Sequence, residues 1–122
     1  MKLTQLIPML QVDDLQTTID FYVNILVFHC DAFEKDWGWA SLTRDEINIM
    51  LALPNQHLPY HNSFLTGSLY LRTENVDDCW NLLRDKVEIV YPIENFEYGM
   101  REFAIKDCNG YMLQFGKPNS AE

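Results

Sequence analysis

The sequence predicts an α+β fold: two tandem βαβββ modules whose curved, mixed sheets surround a crevice. Three observations carry this prediction. The same order, strand-helix-strand-strand-strand, runs through the 122 residues twice. Apolar residues in the predicted strands fall on one parity, while the other parity is mixed. The chain closes with "YGMREFAIKDCNGYMLQFGKP", which reads as strand, turn, strand around the dipeptide Asn109-Gly110. The first module spans 1–53, a connector 54–66, and the second module 67–122.

"LIPMLQV" is compatible with the first strand. Asp14 is the expected N-cap of a helix over Leu15–Leu26, in which Leu15, Ile19, Tyr22 and Leu26 share one face. "VFHCDAF" and "WGWASLTR" follow as strands on either side of the charged turn Glu34-Lys35-Asp36. After Asp45-Glu46, "INIMLAL" completes the module. "PNQHLPYHNS" is rich in Pro and Asn and lacks periodicity, so it is read as irregular chain across Pro54–Phe64. The order then resumes with strand "SLYLRT", a helix over Val76–Arg84, strand "VEIVY" and the closing hairpin.

The two copies overlay without gaps at their starts, Ile7 on Ser68 and Leu15 on Val76. At their ends Met50 falls on Met112 and Ala52 on Gln114. Leu10, Val12, Ile49, Leu51, Leu53, Leu69, Leu71, Leu113 and Phe115 share the parity that must pack on the helices. The opposite parity gives Ile7, Met9, Gln11, Asn48, Met50, Ala52, Ser68, Tyr70, Arg72, Met112 and Gln114. A solvated face would carry more Lys, Glu and Thr, and a core would not carry an arginine and three amides. The lining of a crevice is favoured over an outer face covered by a partner subunit. None of the residues read onto this second face is His, Cys, Asp or Glu.

A net charge of −9 disfavours nucleic acid and anionic membrane surfaces as partners. No signal peptide or spanning helix is visible. Three cysteines, Cys30, Cys79 and Cys108, without CxxC spacing point to a reduced, cytoplasmic compartment.

"IPMLQVDDLQTTIDFY" and "YGMREFAIKDCNGYMLQFG" resemble the vicinal oxygen chelate superfamily of glyoxalases, extradiol dioxygenases and antibiotic-resistance proteins. Within it they are most similar to the bleomycin-resistance-protein branch. Two departures stand out. Leu26-Val27-Phe28 replaces Leu-Gly-Phe after the first helix, so a bend that glycine would allow falls on Val27. Asp107-Cys108-Asn109-Gly110-Tyr111 replaces Asp-Pro-Asp-Gly-Asn, which frees a turn that proline would stiffen.

Metal-dependent members place ligands on the first and fourth strands of each module, and the resemblance puts those positions at Ile7, Ala52, Ser68 and Gln114. Isoleucine and alanine have no donor atoms, serine is a poor ligand, and one amide cannot hold a metal alone. The residues therefore argue against the metal chemistry of the family, and no cofactor or catalytic residue is expected.

His57 and His61 have ligand-like spacing but lie in the Pro-rich connector with no carboxylate between them, and are read as solvated. No cysteine has the basic neighbours of a nucleophile; Cys79 is read as packing and Cys108 as exposed. Asp13-Asp14 and Asp77-Asp78 open the two helices, where the helix dipole accounts for them. The aromatics are more informative. Trp37 and Trp39 are read onto one strand face, Tyr98 holds the matching position in the second module, and Phe33 and Phe96 flank the hairpins. In the bleomycin-binding branch, aromatics near Phe33, Trp37 and Tyr98 would line a groove that sandwiches a flat ligand. Trp39 serves equally well as packing. Met50, Tyr70 and Met112 are expected on the floor, with Arg72 and Gln114 as polar orienters. Arg72 has an equal alternative in balancing Glu102 or Glu74.

The leading expectation is a non-catalytic homodimer that sequesters a small planar ligand, for which the negative charge allows a cation. The alternatives are a metal-dependent enzyme of the same superfamily (glyoxalase, dioxygenase or thiol transferase) with an unrecognised site, and a purely structural or regulatory dimer.

Overall fold

The computed structural model describes residues 1–55 and 64–119. The chain divides into two compact units, Met1–Ser63 and Phe64–Glu122, each with one helix and one four-stranded mixed sheet. His57, His61 and most of the expected connector lie outside the described residues. Among the described residues no helix is long and apolar enough to cross a membrane.

The first unit contains β1 (Met9–Gln11), α1 (Leu15–Asn24), β2 (His29–Glu34), β3 (Trp39–Arg44) and β4 (Ile47–Ala52). Its sheet order is β1-β4-β3-β2, with β1 parallel to β4 and the other pairs antiparallel. Asp14 caps α1, its Oδ1 accepting from the Thr17 amide at 3.0 Å. Leu15, Ile19, Tyr22 and Leu26 are buried with Leu10, Val12, Leu42, Ile49 and Leu51. The helix face and the strand parity expected from the sequence thus close on one another.

The second unit repeats the plan with β5 (Leu69–Arg72), α2 (Val76–Leu83), β6 (Glu88–Asn95), β7 (Met100–Lys106) and β8 (Met112–Pro118). The sheet order β5-β8-β7-β6 reproduces that of the first unit. Val76, Leu83, Phe103, Ile105, Leu113 and Phe115 are buried. The rings of Phe103 and Phe115 stack at 5.0 Å, and Trp80 of α2 lies 5.2 Å from Phe103. Asp77 goes beyond a dipole role: Arg101 on β7 grips both of its carboxylate oxygens at 3.1 and 3.2 Å through Nε, tying α2 to the sheet.

Three local expectations are corrected. Trp37 is not on a strand. It ends a 3-10 turn over Lys35–Trp37, Gly38 follows at φ 65°, and the strand begins only at Trp39. Asn109-Gly110 is not a two-residue hairpin turn. Lys106 pairs with Met112, and five residues connect them. Asp107 Oδ1 accepts from the amides of Asn109 and Tyr111, each at 2.9 Å, so the acidic side chain shapes the loop.

The third correction concerns the repeat. Met9 pairs with Met50, whereas Tyr70, the counterpart of Met9, pairs with Gln114. Met50 is therefore the counterpart of Gln114, and Ala52 that of Gly116. The units differ in the connection before this strand, where Arg44 and Ile47 enclose a two-residue turn and Lys106 and Met112 enclose five residues. The error spans two residues, so every side chain keeps its face.

Candidate functional site

On the side of each sheet away from its helix, the pairing registers align residues in rows. In the second unit one row reads Tyr70, Gln114, Ala104, Tyr91 across β5, β8, β7 and β6; the next reads Arg72, Gly116, Glu102, Glu94. Glu102 is the centre of this face. Its side chain was not foreseen there, and it corrects the reading that the second face lacks an acidic residue. The signal was present in "MREFAIK", where Phe103 and Ile105 point to the core and so send Glu102 and Ala104 the other way. Tyr91 was harder to find, because register shifts on either side of it break the alternation of β6.

Glu102 is 2% exposed. Its Oε1 accepts from the Tyr70 hydroxyl at 2.7 Å, and Oε2 accepts from Tyr91 at 2.5 Å and Tyr98 at 2.8 Å. Burial by itself would raise the carboxyl pKa, but the three hydroxyls together outweigh it and hold the group below its ordinary value. The tyrosines shift the opposite way. Desolvation and the bond to Glu102 raise all three, Tyr98 to about 12. The centre is an ionised carboxylate surrounded by phenols that keep their protons.

The network continues to the β5 edge. Gln114 Nε2 donates to the Tyr91 hydroxyl at 2.8 Å across the small side chain of Ala104, and Ser68 Oγ donates to Gln114 Oε1. Backbone space matters here. A Cβ at Gly116 would overlap the Tyr70 hydroxyl and stand 2.9 Å from Glu102 Cβ, so glycine lets Tyr70 cross to the carboxylate.

Tyr98 lies in the turn between β6 and β7. The amide of Gly99 donates to the Phe96 carbonyl at 3.0 Å, and Gly99 adopts φ 89°. The first unit has the same device, the Gly38 amide bonding the Lys35 carbonyl at 3.2 Å just after Trp37. Trp37 and Tyr98 therefore hold matching positions. Tyr98 stacks on Phe96 with centroids 5.4 Å apart, and Tyr91 meets Phe96 edge-on at 5.3 Å. Its outer surface is open, for the residue is 63% exposed.

In the first unit the corresponding rows are Met9, Met50, Ser41, Ala32 and Gln11, Ala52, Trp39, Glu34. The place of Glu102 is taken by Trp39, so the centre of this face is an indole where the other has a carboxylate. Trp37, Trp39, Met9 and Ala52 line a shallow groove, with Trp37 80% exposed. Phe33 pairs with the fully buried Ala40 and so lies on the helix side of the sheet, apart from Met50. Among the expected ligand residues, Tyr70, Tyr98 and Gln114 join the Glu102 network. Met112 lies on the same strand face two positions from Gln114, and Arg72 is exposed on the adjoining row. Arg72 shows no ion pair with Glu102, whose oxygens are held by the tyrosines.

The four positions at which the family resemblance implies metal ligands do not supply a donor set. Ala52 stands beside Gln11 rather than Ile7, and its corrected replacement, Met50, offers a thioether. The Gln114 amide oxygen already accepts from Ser68. Catalytic divalent ions favour carboxylate and imidazole over these groups. No group of three or more His, Cys, Asp or Glu residues suited to a metal occurs among the described residues.

Comparison with known proteins places these observations in a family. The model of the Glyoxalase/Bleomycin resistance protein/Dioxygenase superfamily matches residues 4–115. Comparison with curated proteins returns no significant match. Among solved structures, TioX from Micromonospora sp. ML1 is similar at a TM-score of 0.77 and 18% identity, with 94% of this chain and 98% of that chain covered. A glyoxalase/bleomycin resistance protein/dioxygenase from Nocardioides gives 0.80 at 14% identity, covering 100% and 87%. The bleomycin-binding protein of bleomycin-producing Streptomyces verticillus, complexed with copper(II)-bleomycin, gives 0.71 at 21% identity, covering 94% and 96%. At these identities the likeness is one of fold.

Proposed function

The chain belongs to the Glyoxalase/Bleomycin resistance protein/Dioxygenase superfamily, and we propose that within it the chain is a non-catalytic binding protein for a planar small molecule. One observation carries the reading: Tyr98 is mostly exposed yet held rigid, its ring stacked on Phe96 and its hydroxyl fixed by the buried Glu102. An exposed aromatic ordinarily loses conformational freedom when a ligand stacks on it; here that loss is already made in the free protein. The ligand is taken up by a homodimer in the reduced cytoplasm, in the manner of the bleomycin-resistance branch. Trp37 and Tyr98 act as stacking walls, Met50, Tyr70 and Met112 as adaptable floor, and Arg72 and Gln114 as orienting groups. The donor chemistry at Ile7, Ala52, Ser68 and Gln114 supports binding over metal-assisted turnover.

A thermal-shift screen of flat heteroaromatic compounds against divalent metals tests this reading. Stabilisation by planar compounds in the presence of a chelator is expected. Stabilisation by a metal alone, accompanied by metal-dependent turnover, would overturn it.

A further inference from the structure

The second face of the Phe64–Glu122 unit is charged unevenly. Along the row Arg72, Gly116, Glu102, Glu94, the two end residues are exposed. At the β5 edge Arg72 borders a groove that Glu74 also lines. At the β6 edge Glu94 stands across from Glu102 and acts on Tyr98 with the same sign, both carboxylates favouring the protonated phenol. The row therefore ends in a cation, Arg72, on one side and a carboxylate, Glu94, on the other.

Tyr98 sits at the anionic end. Phe96 covers one side of its ring, Glu102 holds its hydroxyl at 2.8 Å, and the remaining side meets solvent. A phenol donating to an ionised carboxylate carries extra electron density in its ring. A cation above that ring is attracted by the quadrupole and by both carboxylates, while Glu102 itself stays covered and needs no new partner.

We infer that the Tyr98 end of this face is a subsite for a flat, delocalised organic cation, its charge held over the free side of Tyr98 between the fields of Glu102 and Glu94. The inference rests on the binding reading above and adds the sign of the ligand's charge and where it lodges. The cation is delocalised because a spread charge is weakly hydrated and stacks on the ring, whereas a compact ammonium would have to give up more hydration to do so.

Acridine and N-methylacridinium share one ring system, and at mildly alkaline pH only the second is charged. Calorimetric titration of the intact protein with each should show the cation bound about three- to thirty-fold tighter, the range of a partly desolvated cation–π contact. Glu102→Gln removes the charge and keeps an oxygen for the tyrosines. In that variant the ratio of the two affinities should shrink towards parity. Asp20→Asn, on α1, lowers the overall negative charge equally and should leave the preference intact. Equal affinities in the wild type, or a preference that survives Glu102→Gln, would overturn the inference and leave planar binding standing. Should Glu102→Gln not fold, Tyr98→Leu at its exposed position must abolish the preference, and persistence there would overturn the inference as well. If neither probe binds the wild type, the binding reading itself fails.

Discussion

A carboxylate with 2% exposure remains ionised only where donors replace the water it has lost. Glu102 has three such donors, and its folded pKa lies below the ordinary value. The stability it contributes is complete above the unfolded glutamate value of about 4.3 and is lost as pH falls through the depressed folded value. Tyr91 and Tyr98 behave in the opposite sense, since their folded values are raised. Their contribution is complete below the unfolded tyrosine value of about 10 and is lost as pH rises through the folded values. Melting temperature should therefore plateau between these limits and decline on both sides. In Glu102→Gln both declines should shrink, though Asp77, held low by its bond to Arg101, keeps part of the acid limb. An unchanged profile would show that Glu102 does not control these groups. Gly116 gives a second test. Gly116→Ala puts a methyl where the Tyr70 hydroxyl now lies and should cost about 1–3 kcal/mol in chemical denaturation, the range for overpacking a filled site. Alternation along β7 made Glu102 readable from sequence. Its three tyrosines, on β5, β6 and a turn, were not jointly readable, because strand order alone brings them together.

After α1 the chain turns through a left-handed residue, Val27 at φ 63°. The amide of Phe28 bonds the Tyr22 carbonyl at 2.8 Å, and the Phe28 and Tyr22 rings pack edge-on at 5.5 Å. A β-branched residue there is strained, and 52% exposure shows that little packing compensates. Val27→Gly should therefore stabilise the protein by about 1 kcal/mol, measured by denaturant unfolding. A loss of stability would mean that the side chain makes a contact worth more than the strain. The same element shows what patterning can reveal. The helix positions, strand parity and Asp14 cap were legible because each depends on neighbours in sequence. The turn at 107–111 and the paired registers were not. They depend on Asp107 folding back onto two amides, which the dipeptide Asn109-Gly110 conceals.

At the scale of the molecule, each sheet has two edge strands: β1 and β2 in one, β5 and β6 in the other. Edge strands and a mixed face are surfaces that a second copy can cover. Light scattering should give a homodimer at micromolar concentration, and a monomer would remove the intersubunit crevice from the proposal. The repeat made the architecture legible, but it concealed a difference between its copies. Trp39 and Ala52 stand where Glu102 and Gly116 stand in the other unit, so one face is centred on an indole and the other on a carboxylate. The central claim, stacking of a planar ligand without metal, is tested most directly by titrating chelator-treated wild type and Trp37→Ala with a planar compound selected by the thermal screen. Trp37 is 80% exposed, so its loss should leave folding intact. The account predicts saturable binding by the wild type and an affinity weakened by about 1–3 kcal/mol in the variant. Equal affinities would contradict the role of Trp37, and the absence of saturable binding by the wild type would contradict the claim itself.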